Sequence, residues 1–283
     1  MKTVKELFLS GKRLLADFPE CDLETRILLC LSVSITEEQF HAGNDREIPP
    51  DKEKEFFRLI GQRISGMPLA YITGHKEFWS IPFEVGPGVL IPRPESELIV
   101  EKVLEFVSGR EPVIADIGTG CGNLAVALGK ELPESRIFAV DASLKALEVA
   151  RRNAAAQGLS NIRFAHGDRL FPLKRLGLQG NCDFIISNPP YVSEYDWKSL
   201  PLEIRGHEPK EALLAGKTGL EFIGALVSQA PEYLSPGGSL VFEIGWGQEG
   251  PVMAMFGAGW DRVRSYGDLS GIPRVVAAEK CPR

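Results

Sequence analysis

The stretch Val113-Ile114-Ala115-Asp116-Ile117-Gly118-Thr119-Gly120-Cys121-Gly122-Asn123 decides the fold. An apolar, β-prone run leads straight into three glycines, and a helical pattern follows over residues 124–132. A short apolar run bounded by glycine reads as a buried strand, and the glycines read as a turn into a helix. The alternation then repeats. Residues 136–140 form the next expected strand, ending in Asp141, with a helix over 143–157 behind it. Further strands are expected at 162–165, ending near Asp168, and at 184–187. A helix over 220–234 stops before Ser235-Pro236-Gly237-Gly238, and 239–244 make a fifth strand. Residues 263–266 and 275–278 fit a closing strand pair. Strand and helix in alternation predict a doubly wound sheet.

Ahead of this domain the pattern is helical. Val4, Leu7, Phe8, Leu14, Leu15 and Phe18 recur at helical spacing, as do Ile27, Leu28 and Leu31. Thr36 is the expected N-cap of a third helix, Pro49-Pro50 marks a break, and Phe56, Phe57, Ile60 and Ile64 share a side of the next helix. Short helices joined by turns predict a small bundle over 1–74, suited to partner recognition. Residues 67–89 turn β-prone, with Tyr71-Ile72-Thr73-Gly74 and Phe78-Trp79-Ser80-Ile81-Pro82-Phe83 read as a hairpin that links the parts over 75–91. In Leu90-Ile91-Pro92-Arg93-Pro94-Glu95-Ser96-Glu97, Ser96 or Glu95 opens a helix. Arg93 and Glu95 are either a solvated pair or point into a site. The second domain is expected over 92–283.

Composition narrows the function. With 44% hydrophobic and 25% charged residues, the 283-residue chain is an ordinary globular protein with room for two domains. Its net charge is −6, from 32 basic against 38 acidic residues, with no long basic block. That argues against holding duplex nucleic acid. No apolar run approaches the ~20 residues of a membrane span, and the N-terminus lacks the apolar core of a secretory signal. Cys21, Cys30, Cys121, Cys182 and Cys281 are scattered and odd in number, without a C-x-x-C pair. This argues against a disulfide framework or a metal site, and for a reducing, cytoplasmic compartment.

Two loops carry the chemistry. Asn188-Pro189-Pro190-Tyr191 ends the strand over 184–187, where prolines stop the ladder and hold the chain extended. A strand-ending turn has the same signature. In an open α/β sheet, however, ligands bind beyond the carboxyl ends of strands. The Asn188 carboxamide and the Pro189 carbonyl offer two acceptors to a planar amide or exocyclic amine, with the Tyr191 ring beside them. The glycine loop departs from the dinucleotide fingerprint, which needs glycine where Asn123 stands, and lacks the lysine of a P-loop. Asp141, about 20 residues on, is spaced to accept ribose hydroxyls. A nucleoside without phosphates is indicated, and S-adenosylmethionine fits, its cationic end facing an acidic mouth of Asp116, Asp141 and Asp168.

These segments resemble the protein-(glutamine-N5) methyltransferases that modify peptide chain release factors. The resemblance is carried by residues 68–74, Glu77-Phe78-Trp79, 90–97, Asp116 to Gly122, Ser187 to Tyr191, Glu208-Pro209 with Ala212-Leu213, and Glu243-Ile244-Gly245. It implies a Rossmann-like class I methyltransferase domain with a mostly parallel seven-stranded sheet, an N-terminal helical substrate-recognition bundle, and a joining hairpin. The implied reaction moves a methyl group from S-adenosylmethionine to the side-chain nitrogen of the glutamine in a Gly-Gly-Gln loop. The implied partner is a class 1 release factor, met by a monomer with no direct nucleic-acid or membrane contact. By resemblance, Gly118, Thr119, Gly120, Cys121 and Gly122 contact the cofactor and Asp141 its ribose, with Asp168 and Arg169 near the adenine. Asn188 touches cofactor and substrate, and Pro189, Pro190 and Tyr191 complete the catalytic loop. Relatives often carry an aromatic residue where Arg169 stands. Asn-Pro-Pro-Tyr is shared with adenine-N6 methyltransferases of RNA or DNA, which are the alternative. For a general base, His75, His166 and His207 qualify by residue type alone, and proton loss to water serves equally.

Overall fold

The computed structural model describes residues 1–43, 45–108 and 111–282. The chain divides into two compact units, Met1–Gly74 with Leu202–His207, and His75–Pro201 with Glu208–Arg283.

The first unit packs α1 (Val4–Leu14), α2 (Cys21–Val33), α3 (Glu37–Ala42), α4 (Pro50–Ile64) and α5 (Leu69–Thr73). Thr3 with Glu6, and Thr36 with Gln39, form reciprocal capping boxes that satisfy the first N–H groups of α1 and α3. Val4, Leu7, Leu28, Leu29, Phe56 and Ile60 face inward and form one core. Residues 71–73, expected as strand, lie in α5. Pro68 sets the first turn, and Gly74, at φ 79°, ends the helix in the left-handed conformation that glycine alone adopts without cost. A buried ion pair, Arg63 Nε to Glu24 Oε2 at 2.7 Å, sits under the Phe18 ring. Arg63 also reaches Glu203 at 3.0 Å. That bond ties in residues 202–207, which the sequence reading assigned to the second domain.

The second unit begins with a hairpin, β1 (His75–Phe78) and β2 (Ile81–Glu84), whose turn residues Trp79 and Ser80 both have positive φ. Such a two-residue turn matches strand twist but favours glycine and asparagine. Here side chains hold it: Trp79 N–H donates to Glu97 at 2.7 Å and its indole donates to Glu131 at 2.8 Å. After α6 (Glu97–Phe106) come β3 (Val113–Ile117), α7 (Asn123–Glu131), β4 (Arg136–Asp141), α8 (Leu144–Ala156), β5 (Ile162–His166), α9 (Phe171–Arg175) and β6 (Cys182–Ser187). A short pair follows, β7 (Val192–Ser193) and β8 (Leu214–Gly216), with α10 (Glu194–Trp197) directly after β7; α11 (Leu202–His207), next in the chain, belongs to the first unit. Then follow α12 (Glu221–Tyr233), β9 (Leu234–Glu243), α13 (Glu249–Met253), β10 (Trp260–Gly267) and β11 (Pro273–Lys280).

Seven strands form one sheet in the order β10-β11-β9-β6-β3-β4-β5, parallel except for β11, which runs against both its neighbours. Every residue of β3 is buried, as a central strand covered on both faces requires. Residues 235–238, which lie between the expected helix and the strand expected at 239–244, belong to the irregular start of β9, with a register shift against β6 between Cys182 and Phe184. Cys182 is a buried core residue there.

Candidate active site

The sheet order brings the two loops together. β3 lies between β4 and β6, with Ile117 opposite Val140 and Asp116 opposite Ile186. The glycine loop, Asp141 and Asn188 therefore leave adjacent strands at the same edge, at the point where the chain reverses its winding. A cleft of about 680 Å³ opens there, lined by Gly118, Thr119, Gly120, Cys121, Asp141, Asp168, Arg169, Asn188 and Pro190 among others. That is the size range of a cofactor site.

The glycine loop is shaped by its own hydrogen bonds. Gly118 and Thr119 N–H both donate to Val140 O, Gly122 N–H donates to Thr119 O, and Gly120 N–H donates to Asp141 at 2.8 Å. With these four donors engaged, the loop is no cradle for a pyrophosphate, which needs free backbone N–H groups. Gly118, Gly120 and Gly122 all have positive φ. Gly122, expected to contact cofactor with its neighbours, is not among the residues that line the cleft, and a Cβ there would stand 3.0 Å from Ala150 Cβ. Asp141 accepts from Ser143 N–H as well as Gly120, so it braces the loop while still lining the cleft. Burial raises its pKa.

Asp116 is not part of the acidic mouth. It is fully buried, accepts from the Thr119 hydroxyl at 2.6 Å, and burial pushes its carboxyl up to about 7. The Thr119 side chain is thereby turned inward. Asp141, Asp168 and Glu211 supply the negative charge around the cleft, against Lys145 and Arg169. Cys121 lines the cleft too, but burial pushes its thiol up to about 12, so it stays protonated and is no nucleophile. Arg169, at φ 45°, lies with its guanidinium 5.8 Å from the Phe222 ring centre, and both line the cleft. A flat cation on an aromatic face thus stands at the position the resemblance leaves aromatic.

Asn188 lies on the wall shared by the cleft and a recess of about 20 Å³ lined by Leu90, Arg93, Pro189, Tyr191, Ala212 and Leu213. As it stands, that recess has room for about one water. Asn188 Nδ2 donates to Ser96 Oγ at 2.8 Å, and the Ser96 hydroxyl donates to Glu243 Oε2. The Tyr191 phenol also bonds the Glu243 carboxylate, and burial raises the phenol's pKa. Gln248 Nε2 donates to the Tyr191 carbonyl at 2.9 Å. Ser96 lies in the 90–97 segment of the family resemblance and is an expected helix opener; it makes no capping bond, because its hydroxyl serves Glu243. Two partners of the loop, Ser96 and Glu243, fall in segments that carry the family resemblance, 90–97 and 243–245, but nothing local marks them as its partners, and Gln248 carries no signal at all. Arg93 lines the recess, and its guanidinium pairs with Glu208, which is buried and also accepts from Ile91 N–H. No histidine lines the cleft or the recess among the described residues; His166 bonds Ala142 O at 3.0 Å, and His207 belongs to the helical unit. The described residues also contain no cluster of metal-ligating side chains.

Comparison with known proteins fits this arrangement. Residues 94–200 match a methyltransferase small domain, and residues 6–74 match the PrmC N-terminal domain. The chain is 37% identical over 282 residues to the release factor glutamine methyltransferase of Koribacter versatilis (strain Ellin345), covering 98% of this chain and 99% of that protein. It belongs to the release factor glutamine methyltransferase family. The enzyme of that name from Moorella thermoacetica is 38% identical, covering 92% of this chain and 89% of the other. Two solved structures share the fold. A methyltransferase from Pyrococcus furiosus covers 73% of this chain and 92% of its own, at TM-score 0.53 and 24% identity. The hMettl16 catalytic domain in complex with the MAT2A 3′UTR hairpin 6 covers 77% of this chain and 81% of its own, at TM-score 0.56 and 17% identity. The sheet is that of the class I S-adenosylmethionine-dependent methyltransferases, as the family resemblance implies. No helix among the described residues is long and apolar enough to cross a membrane.

Proposed function

We propose that the chain transfers a methyl group from S-adenosylmethionine to the side-chain nitrogen of the glutamine in the Gly-Gly-Gln loop of a class 1 release factor. The observation that carries the reading is Asn188, on the wall common to cleft and recess, with Nδ2 engaged by Ser96. The cleft suits the donor: a glycine loop with its N–H groups already bonded rejects phosphates, and Asp141 retains lone pairs for ribose hydroxyls. Arg169 and Phe222 flank the position for a flat base.

Bound S-adenosylmethionine supplies a methyl group already activated on a sulfonium. The remaining task belongs to the protein. A carboxamide nitrogen is a weak nucleophile because its lone pair is delocalised into the carbonyl. Asn188 Oδ1 and the Pro189 carbonyl accept its two N–H bonds, enrich the nitrogen in electron density and aim it at the methyl. Tyr191 packs against the amide face. As the N–C bond forms, the S–C bond breaks, and the amide proton leaves to water. Proximity and orientation supply roughly 7–11 kcal/mol in favourable cases, and dominate because the leaving group is already activated. The enzyme works as a monomer in the cytoplasm in this reading, with the helical unit gripping the release factor.

The test is mass spectrometry of a release factor incubated with enzyme and donor. One added methyl on the Gly-Gly-Gln glutamine is expected with the unaltered enzyme and none with Asn188→Ala, whose cofactor affinity stays within a few-fold. Methylation of bulk RNA or DNA with the release factor untouched would overturn the reading.

A further inference from the structure

Two side chains of the catalytic loop hang from one buried carboxylate. Glu243, at the end of β9, is 2% exposed and receives the Ser96 hydroxyl and the Tyr191 phenol. Ser96 in turn receives Asn188 Nδ2. The chain of donors has a direction. An ionised carboxylate only accepts, so the Ser96 proton must point to Glu243. The Ser96 oxygen then presents a lone pair to Asn188, which only the Nδ2 end can use. The Asn188 carboxamide is thereby turned with Oδ1 as its acceptor end. A carboxamide flipped by half a turn would offer N–H groups to the substrate's N–H groups, and no amide would be held.

We propose that Glu243 and Ser96 are positioning residues for methyl transfer: the buried carboxylate orients the Ser96 hydroxyl, and through it fixes which end of Asn188 meets the substrate amide. The proposal rests on the reading of Asn188 as the acceptor of that amide. It gives Glu243 a second task as well, since the Tyr191 phenol is held by the same carboxylate. One group on β9 thus sets both polar side chains that follow β6, its neighbour in the sheet.

The direction of the relay depends on charge. Burial, with Glu95 nearby, holds the Glu243 carboxyl up at about 7, while Ser96, Tyr191 and Arg274 pull the other way; Arg93 faces Tyr191. A protonated Glu243 can donate to Ser96, whose own proton is then free to turn toward Asn188 and reverse the relay. Turnover should therefore fall as pH drops through about 7.

The experiment measures kcat, KM for a release factor, cofactor affinity by calorimetry, and the pH profile from 5.5 to 9. It compares unaltered enzyme with Ser96→Ala, Glu243→Gln and the double variant. In each single variant kcat should fall by about ten- to a hundredfold, the size of effect of a misplaced reacting group. Cofactor affinity should stay within about threefold, the acidic limb should vanish, and the double variant should match the worse single, because the two residues act in series. A role confined to stability would lower the melting temperature without removing the limb. Unaltered kcat in both variants, or a limb that persists in Ser96→Ala, overturns the relay. Should Glu243→Gln fail to fold, Ser96→Ala decides alone. Should neither fold, Ser96→Thr, which keeps the hydroxyl, should hold kcat within about threefold with the acidic limb intact, and a loss of either overturns the relay. Asn188→Ala is the separate control: if it turns over normally, the reading of the site itself has failed.

Discussion

Gly120 and Gly122 are two residues apart in one loop, share positive φ, and should respond to alanine in opposite ways. At Gly120, φ 57°, a new Cβ meets nothing within 4 Å, and the residue lines the cleft. The left-handed conformation costs an L-residue about 1–2 kcal/mol, and a stiffer unfolded chain returns about 0.4–1 kcal/mol. Gly120→Ala should therefore destabilise by about 1 kcal/mol. Its methyl projects where ligand must lie, and overfilling of that kind costs about 1–3 kcal/mol, roughly five- to 150-fold in Kd. At Gly122, φ 84°, the Cβ stands 3.0 Å from Ala150 Cβ and 3.2 Å from Ala150 Cα. The obstacle is the backbone of α8, which has no rotamer to change. Conformational cost and overpacking together give about 2–4 kcal/mol of lost stability. Because the methyl points away from the cleft, cofactor affinity of the fraction that folds should move little. Urea denaturation and calorimetric titration with S-adenosylhomocysteine separate the two effects. Equal losses of stability in the two variants, or normal affinity in Gly120→Ala, would refute the assignment of one glycine to the ligand and the other to the helix.

Three further outcomes are expected. Asn153 accepts from Glu84 N–H and donates to the Glu84 and Cys121 carbonyls, bolting the hairpin to the glycine loop. Asn153→Ala strands those three groups at the lower end of about 1–3 kcal/mol each, because both Glu84 groups are only half-buried, so a loss of about 3–5 kcal/mol in urea denaturation is expected, and less than 1 kcal/mol would show that the bolt is slack. In the helical unit, Arg63→Ala leaves Glu24 buried without its partner and should cost about 3–5 kcal/mol, read as a fall in the melting temperature of helical circular dichroism. Asp116 titrates at about 7 when folded and at 3.8 as a free carboxyl, so its stabilising share is full below 3.8 and lost as pH rises through 7. Between pH 5 and pH 8 the loss is about 2–3 kcal/mol, and Asp116→Asn should flatten the stability profile by that amount. A steeper profile in the variant would reverse the sign of the argument.

The legible parts of this protein are those whose causes lie close together along the chain. Five buried positions followed by glycines fix β3 and its loop, and proline after β6 fixes where the strand stops. Sheet order then places Asp141 and Asn188 beside that loop without knowledge of any side-chain contact. Errors arise where a distant partner or a local cap overrules composition. The β-prone residues 71–73 turn helical because proline and glycine bracket them. Residues 202–207 join the helical unit through Glu203, whose partner Arg63 is 140 positions away. Asp116 reads as a mouth residue from its place at the end of a strand, yet its hydrogen bond to Thr119 turns it inward.

The same rule limits what Asn-Pro-Pro-Tyr can say. The tetrapeptide specifies an amide at the right place, but an amide has two ends, and which one faces the substrate is decided by Ser96, 92 positions earlier. Ser96 is itself decided by Glu243, 147 positions later than it. Neither residue lies within the motif, and β9 acquires its role only because it is hydrogen-bonded beside β6 in the sheet. A loop grafted with all four residues but without a buried carboxylate on the neighbouring strand would carry the asparagine with either end forward. Half of that population would repel the amide it must hold, so the chemistry belongs to the sheet order as much as to the motif.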